Sequence, residues 1–199
     1  MRARLALLQS KIQVELREVK LSQKPQVFID CSAKATVPVL VLDNGQVLDE
    51  SLDIMHWALS QFDPEQWEDE GLQFSAELLI TENDGHFKEN LDRYKYSDRY
   101  PEYGQLEYRQ QAEMFLQKLE ILLQDKAYLL AQRITWVDMA IMPFIRQFAG
   151  VEPGWFAECK YQQLREWLNK LIKTKLFDRV MTKYDFWTAG DETVYFPRH

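Results

Sequence analysis

Two short runs of this sequence have the residue types to hold a small zwitterionic peptide. They are Val37-Pro38 and, twelve residues after the proline, Glu50-Ser51. A proline opening a strand cannot donate to the ladder and restricts the residue before it. With a cis bond, such a turn presents the Val37 backbone N–H and C=O to an extended ligand. Ser51 stands where a hydroxyl caps a helix, and the N–H groups of a helix end favour a carboxylate. Glu50 beside it can accept an ammonium group. An exposed strand edge, a helix start and one acid together fit such a peptide. Taken without a ligand, the same residues are a structural proline and an N-cap serine.

Other chemistry finds less support. His56, His86 and His199 lie far apart, without Cys or carboxylate neighbours at ligand spacing, so no metal site is expected. No Gly-rich phosphate loop and no Gly-x-Ser-x-Gly elbow occurs. Cys31 follows a predicted short helix and reads either as a nucleophile or as a small buried apolar residue. Tyr94, Tyr96, Tyr100, Tyr103 and Tyr108 can line an apolar pocket or serve ordinary packing. Thr135 and Asp138 read as the start of a helix, with Ile134 and Met139 at the positions of a hydrophobic staple.

The elements that must position these residues change character along the chain. A short helix over residues 1–10 precedes an alternating run, Ile12 to Val19, that reads as a half-buried strand. Val37 to Leu42 is a second strand, Asp43-Asn44-Gly45 a tight hairpin turn with two positive-φ positions, and Gln46 to Leu48 the partner. From Glu50 the pattern turns helical, with Leu52, Met55 and Leu59 on one stripe. Phe62-Asp63-Pro64-Glu65 reads as a linker. Helices follow over about 70–95, 105–125, 135–149 and 160–173. The third is apolar nearly all round, which places it in the middle of a bundle.

Composition bounds the class. The chain has 199 residues, a net charge of −7, 46% hydrophobic residues, and only seven Gly and seven Pro. That is ordinary globular composition with few turn signals, favouring a mostly helical protein. The acidic balance argues against nucleic acid as a partner. No apolar run is long enough to span a membrane, and the basic start is too short for a signal peptide. Two cysteines form no disulfide framework, so a reducing cytoplasm is the default location.

The run Lys34-Ala35-Thr36-Val37-Pro38-Val39-Leu40, followed by Leu48-Asp49-Glu50-Ser51, resembles the glutathione site of the glutathione S-transferase family. Ile134-Thr135-Trp136-Val137-Asp138 with Pro143-Phe144-Ile145-Arg146-Gln147-Phe148 is similar to the cap and core helix of that family's helical domain. The spacing of Lys24-Pro25, Val37-Pro38 and Glu50-Ser51 looks most like the omega-type and related bacterial branch. The resemblance implies an α+β fold: a thioredoxin-like domain over residues 1–61 and an all-α domain over 67–199. It implies glutathione as co-substrate and no metal. Val37, next to a cis Pro38, would pair main chain to main chain with the cysteinyl part. Glu50 and Ser51 would hold the γ-glutamyl ammonium and carboxylate, and Lys24 the glycyl carboxylate. A hydrophobic co-substrate would lie near Phe87, Tyr94 or Trp136, and the chain would form a homodimer.

The sequence departs from the family at one end. The family's first strand and the loop bearing its Cys, Ser or Tyr would fall before Met1, so no catalytic residue is assigned here. That strand would lie between the Ile12–Val19 and Val37–Leu42 strands. A start placed too late, a shortened binding module, and strand exchange in a dimer each account for this. The expected function is transfer to an electrophile or thiol exchange in an intact form, with little activity from these 199 residues. The alternative is a non-catalytic interaction protein of the same fold.

Overall fold

The computed structural model describes residues 1–198 and divides into two compact units. The first comprises Met1–Gln66 together with the segment from Lys175 on, and the second comprises Trp67–Thr174.

In the first unit, helix α1 (Arg2–Gln9) buries Ala3, Leu5, Ala6, Leu7 and Leu8. Strand β1 is Val14–Glu15 and helix α2 is Gln26–Cys31. Strands β2 (Leu40–Val41) and β3 (Val47–Leu48) form an antiparallel hairpin, Leu40 opposite Leu48. Helix α3 (Ser51–Gln61) buries Ile54, Met55, Ala58 and Leu59 and packs against α1. The hairpin turn differs from the predicted two-residue form. Of its residues only Gly45 has positive φ, at 84°. Leu42 N–H bonds the Gln46 carbonyl, and Gly45 N–H the Leu42 carbonyl. This is a three-residue loop, in which one left-handed glycine returns the chain and Asn44 Oδ1 accepts from Gln46 N–H.

In the second unit, a 3-10 turn (Glu70–Leu72) leads into α4 (Gln73–Glu82). A π-turn over Asn83–Phe87 separates it from α5 (Lys88–Lys95). The sequence predicts one helix here; the break comes at Gly85, whose ψ of −107° is not helical. A residue without a Cβ tolerates that conformation, and Asn83 and Asp84 are weak helix formers. Helices α6 (Gln105–Leu122), α7 (Trp136–Ala149), α8 (Pro153–Glu158) and α9 (Gln162–Ile172) complete the bundle. Helix α7 is central: Val137, Met139, Ala140, Ile141, Met142, Ile145 and Phe148 are all buried. Phe148 meets Tyr94 at 5.0 Å and Phe87 at 5.9 Å between ring centroids.

Asp138 ties that helix to its surroundings. Thr135 donates its backbone N–H and its hydroxyl to Oδ2, while Leu129 N–H and Trp167 Nε1–H donate to Oδ1. Burial pushes this carboxyl up, and the four donors oppose that.

The sequence places 175–199 with the helical domain, whereas the structure packs the segment from Lys175 with the first unit. Helix α10 (Lys175–Val180) packs on α1, and strand β4 (Tyr195–Phe196) pairs antiparallel with β1, Val14 opposite Phe196. Leu16 N–H extends this ladder to the Val194 carbonyl. The physical reason is edge pairing: β1 offers backbone donors and acceptors that need partners, and the Val194–Phe196 run is a good strand former. The predicted strands over 12–19 and 37–42 are shorter than expected. They belong to separate two-stranded sheets, β1 with β4 and β2 with β3. Hydrogen-bonded pairs alternate in an antiparallel ladder, so Val39 and Val41 direct their backbone groups away from β3.

Candidate functional site

Val37-Pro38 and Glu50-Ser51 flank the β2–β3 hairpin on its two sides. The register of Leu40 with Leu48 points the Val37–Pro38 end of β2 at the start of α3. The Val37–Pro38 bond is cis. Val37 is 49% exposed, and neither its N–H nor its C=O enters a backbone hydrogen bond among the described residues. Those two groups are open in the bend that precedes β2.

Ser51 does not take the capping place expected of it. Glu50 is the N-cap residue, with extended backbone, and its carbonyl receives Ile54 N–H at 3.1 Å. Ser51 is the first residue of the helix, and no side chain caps its end. The N–H groups of the first turn therefore stay open to an acceptor, with the Ser51 hydroxyl beside them.

Glu50 is not alone. Lys34 Nζ lies 2.6 Å from Glu50 Oε1 and 3.2 Å from Asp49 Oδ1. Ser32 Oγ donates to Asp49 Oδ2 at 2.9 Å. The Ser32 hydroxyl, and after it the Lys34 ammonium, hold the Asp49 carboxyl below its usual range. Glu50 first, and Asp49 second, raise the Lys34 ammonium. The 32–34 segment is thereby tied to the residues that open α3. Sequence reading named Lys34 and Asp49 only as parts of a run. The signal for their pairing was the proximity that a hairpin imposes on its two flanks.

Lys24 stands apart. It is exposed in the loop before α2, and no hydrogen bond or ion pair joins it to Val37 or Glu50 among the described residues. The three rings expected near a co-substrate are also placed differently. Phe87, Tyr94 and Trp136 are buried in the helical core, and the Tyr94 hydroxyl donates to Glu152 at 2.6 Å. They pack the bundle around α7, which is apolar nearly all round.

Cys31 ends α2 and is half-buried. The Cys159 thiol donates to the Phe156 carbonyl at 3.1 Å, and burial pushes it up, away from the reactive thiolate. Among the described residues no group of three His, Cys, Asp or Glu could hold a metal, and no helix is long and apolar enough to cross a membrane.

Residues 1–66 match the family profile described as glutathione S-transferase, N-terminal domain, and residues 80–170 that of its C-terminal domain. No curated protein sequence matches. Among solved structures, Gtt2 from Saccharomyces cerevisiae aligns at 19% identity and TM-score 0.71, over 90% of this chain and 94% of that one. Glutathione transferase Omega 3C from Trametes versicolor aligns at 20% and 0.75, over 93% and 85%. A glutathione transferase from Phanerochaete chrysosporium in complex with oxidized glutathione aligns at 14% and 0.77, over 90% and 88%. At these identities the structures are similar to this chain in fold.

Proposed function

This chain belongs to the glutathione S-transferase family, and from that membership we propose that it binds glutathione where β2 meets α3. The observation that carries the reading is the uncapped first turn of α3, with the Ser51 hydroxyl and the Glu50 carboxylate beside it. Ser51 and the open N–H groups take the γ-glutamyl carboxylate, and Glu50 its ammonium. Val37 pairs its free N–H and C=O with the cysteinyl backbone, beside Pro38. Lys24, with its long, exposed side chain, takes the glycyl carboxylate. These residues bind and orient the peptide, and none is assigned a catalytic role. The co-substrate is a small hydrophobic electrophile or a disulfide, attacked by the glutathione thiolate or exchanged with it.

The protein acts as a homodimer in this reading, without nucleic acid or membrane, in the reducing cytoplasm that suits its two free cysteines. An apolar face on the helical unit supports self-association. Phe74 and Leu78 on α4, and Met114 and Ile121 on α6, are exposed on the stripes that carry the Glu82–Lys118 ion pair.

The Lys34–Glu50 pair favours a second reading. If Glu50 serves Lys34, the fold is a non-catalytic interaction module. Retention on immobilised glutathione, compared with a Glu50→Ala/Ser51→Ala variant, separates the two. Specific retention lost in the variant supports the peptide site; a folded wild-type chain that is not retained supports the module.

A further inference from the structure

The residues read as the glutathione site are held unequally. Glu50 and Ser51 open α3, which is anchored by the buried side chains of Ile54, Met55, Ala58 and Leu59. Ser32, five residues before Val37, is buried, and its hydroxyl bonds Asp49, the neighbour of Glu50. These groups are in place before a ligand arrives, so binding them costs little ordering.

Lys24 has no such support. Not one residue from Lys11 through Cys31 is buried. Helix α2 buries none of its six residues and leaves Val27 and Ile29 exposed. Among the described residues, the hydrogen bonds of 20–31 run only within that segment. Gln23 N–H donates to the Lys20 carbonyl, Phe28 and Ile29 N–H to that of Pro25, and Gln26 Nε2 to Asp30 Oδ1. Lys24 enters no hydrogen bond or ion pair at all among them. Fixing its ammonium on a carboxylate would order both a long stem and its loop, for an exposed pair that adds at most about fivefold in affinity. The net charge of −7 supplies no general attraction for a further anion.

Resting on the glutathione reading of this site, we propose that its ligands are γ-glutamyl-cysteinyl thiols as a class, selected at the γ-glutamyl and cysteinyl parts and not at the C-terminal residue. γ-Glutamylcysteine, and glutathione esterified or amidated on its glycyl carboxylate, belong to that class with glutathione itself. Each keeps the γ-glutamyl ammonium and carboxylate, the cysteinyl N–H and an oxygen acceptor on the cysteinyl carbonyl carbon. Those are the groups assigned to Glu50, Ser51 and Val37.

Calorimetric titration of the full chain under reducing conditions tests this, with glutathione, its glycyl ethyl ester, γ-glutamylcysteine and cysteinylglycine. The ester and γ-glutamylcysteine should bind within about fivefold of glutathione. Cysteinylglycine, which lacks the γ-glutamyl part, should bind at least about tenfold more weakly. Amide hydrogen exchange with glutathione bound should slow in the first turn of α3 and stay unchanged over residues 20–31. A loss above about fivefold for the ester or for γ-glutamylcysteine overturns the proposal while leaving glutathione binding intact. So does slowed exchange over 20–31, or cysteinylglycine binding within about tenfold of glutathione. A folded chain that binds none of the four ligands overturns the glutathione reading itself, and this proposal with it.

Discussion

The Lys34 ammonium sits 2.6 Å from the Glu50 carboxylate, so the acid best placed to receive a ligand ammonium already has a cation. Both side chains are more than half exposed, and exposed pairs contribute only about 0–1 kcal/mol. Such a pair can open for a ligand that brings its own ammonium. Lys34→Gln should therefore tighten glutathione binding roughly two- to fivefold, as read by calorimetry. A weaker complex in this variant would instead make Lys34 the partner of the ligand carboxylate.

Self-association should depend on the apolar face of α4 and α6. Phe74 is 74% exposed and Met114 67%, yet both are large hydrophobic side chains. Phe74→Glu combined with Met114→Glu should convert a dimer to a monomer in analytical ultracentrifugation, with little change in helical circular dichroism. Identical sedimentation of variant and wild type would remove this face from the interface.

Asp138→Ala should destabilise the helical unit by about 3–5 kcal/mol, because it leaves Leu129 N–H, Trp167 Nε1–H and Thr135 N–H buried without acceptors. Urea unfolding followed by tryptophan fluorescence measures this. A loss below about 1 kcal/mol would show that the four hydrogen bonds contribute little net stability.

The pH dependence of the same unit should carry a contribution from Glu152. The Tyr94 hydroxyl, and after it Arg109 at 2.7 Å, hold this carboxyl below its ordinary value of 4.5. A folded-state value that is depressed gives stability that is present above 4.5 and lost as pH falls through the folded value. Wild type should thus exceed Glu152→Gln in unfolding free energy at pH 7, and the gap should close well below pH 4.5. A gap that does not change with pH would assign the difference to packing.

Much of the fold is legible in the chain because its signals are local. The Thr135–Asp138 cap spans three residues, and the apolar surround of α7 states its central place directly. The hairpin and the start of α3 follow from short-range turn and periodicity rules, and they set Val37-Pro38 and Glu50-Ser51 on the two flanks of that hairpin. The turn form escaped, because Asp43-Asn44-Gly45 is compatible with two loops that differ by one residue. The break in the 70–95 helix lies in one residue, Gly85, which periodicity passes over.

By itself, then, the sequence determined the family, the two kinds of domain and the residues that open α3, since each depends on neighbours within a turn or two. Only the tertiary structure decided who touches whom across larger separations. It brought Lys34 to Glu50, tied Asp138 to Trp167, and sent Tyr195–Phe196 back to β1 instead of leaving it with the bundle. It also brought Lys95, Arg146 and Arg165 into the lining of one cleft. Those choices depend on burial and on satisfying backbone groups of distant strands, quantities that exist only once the chain has folded.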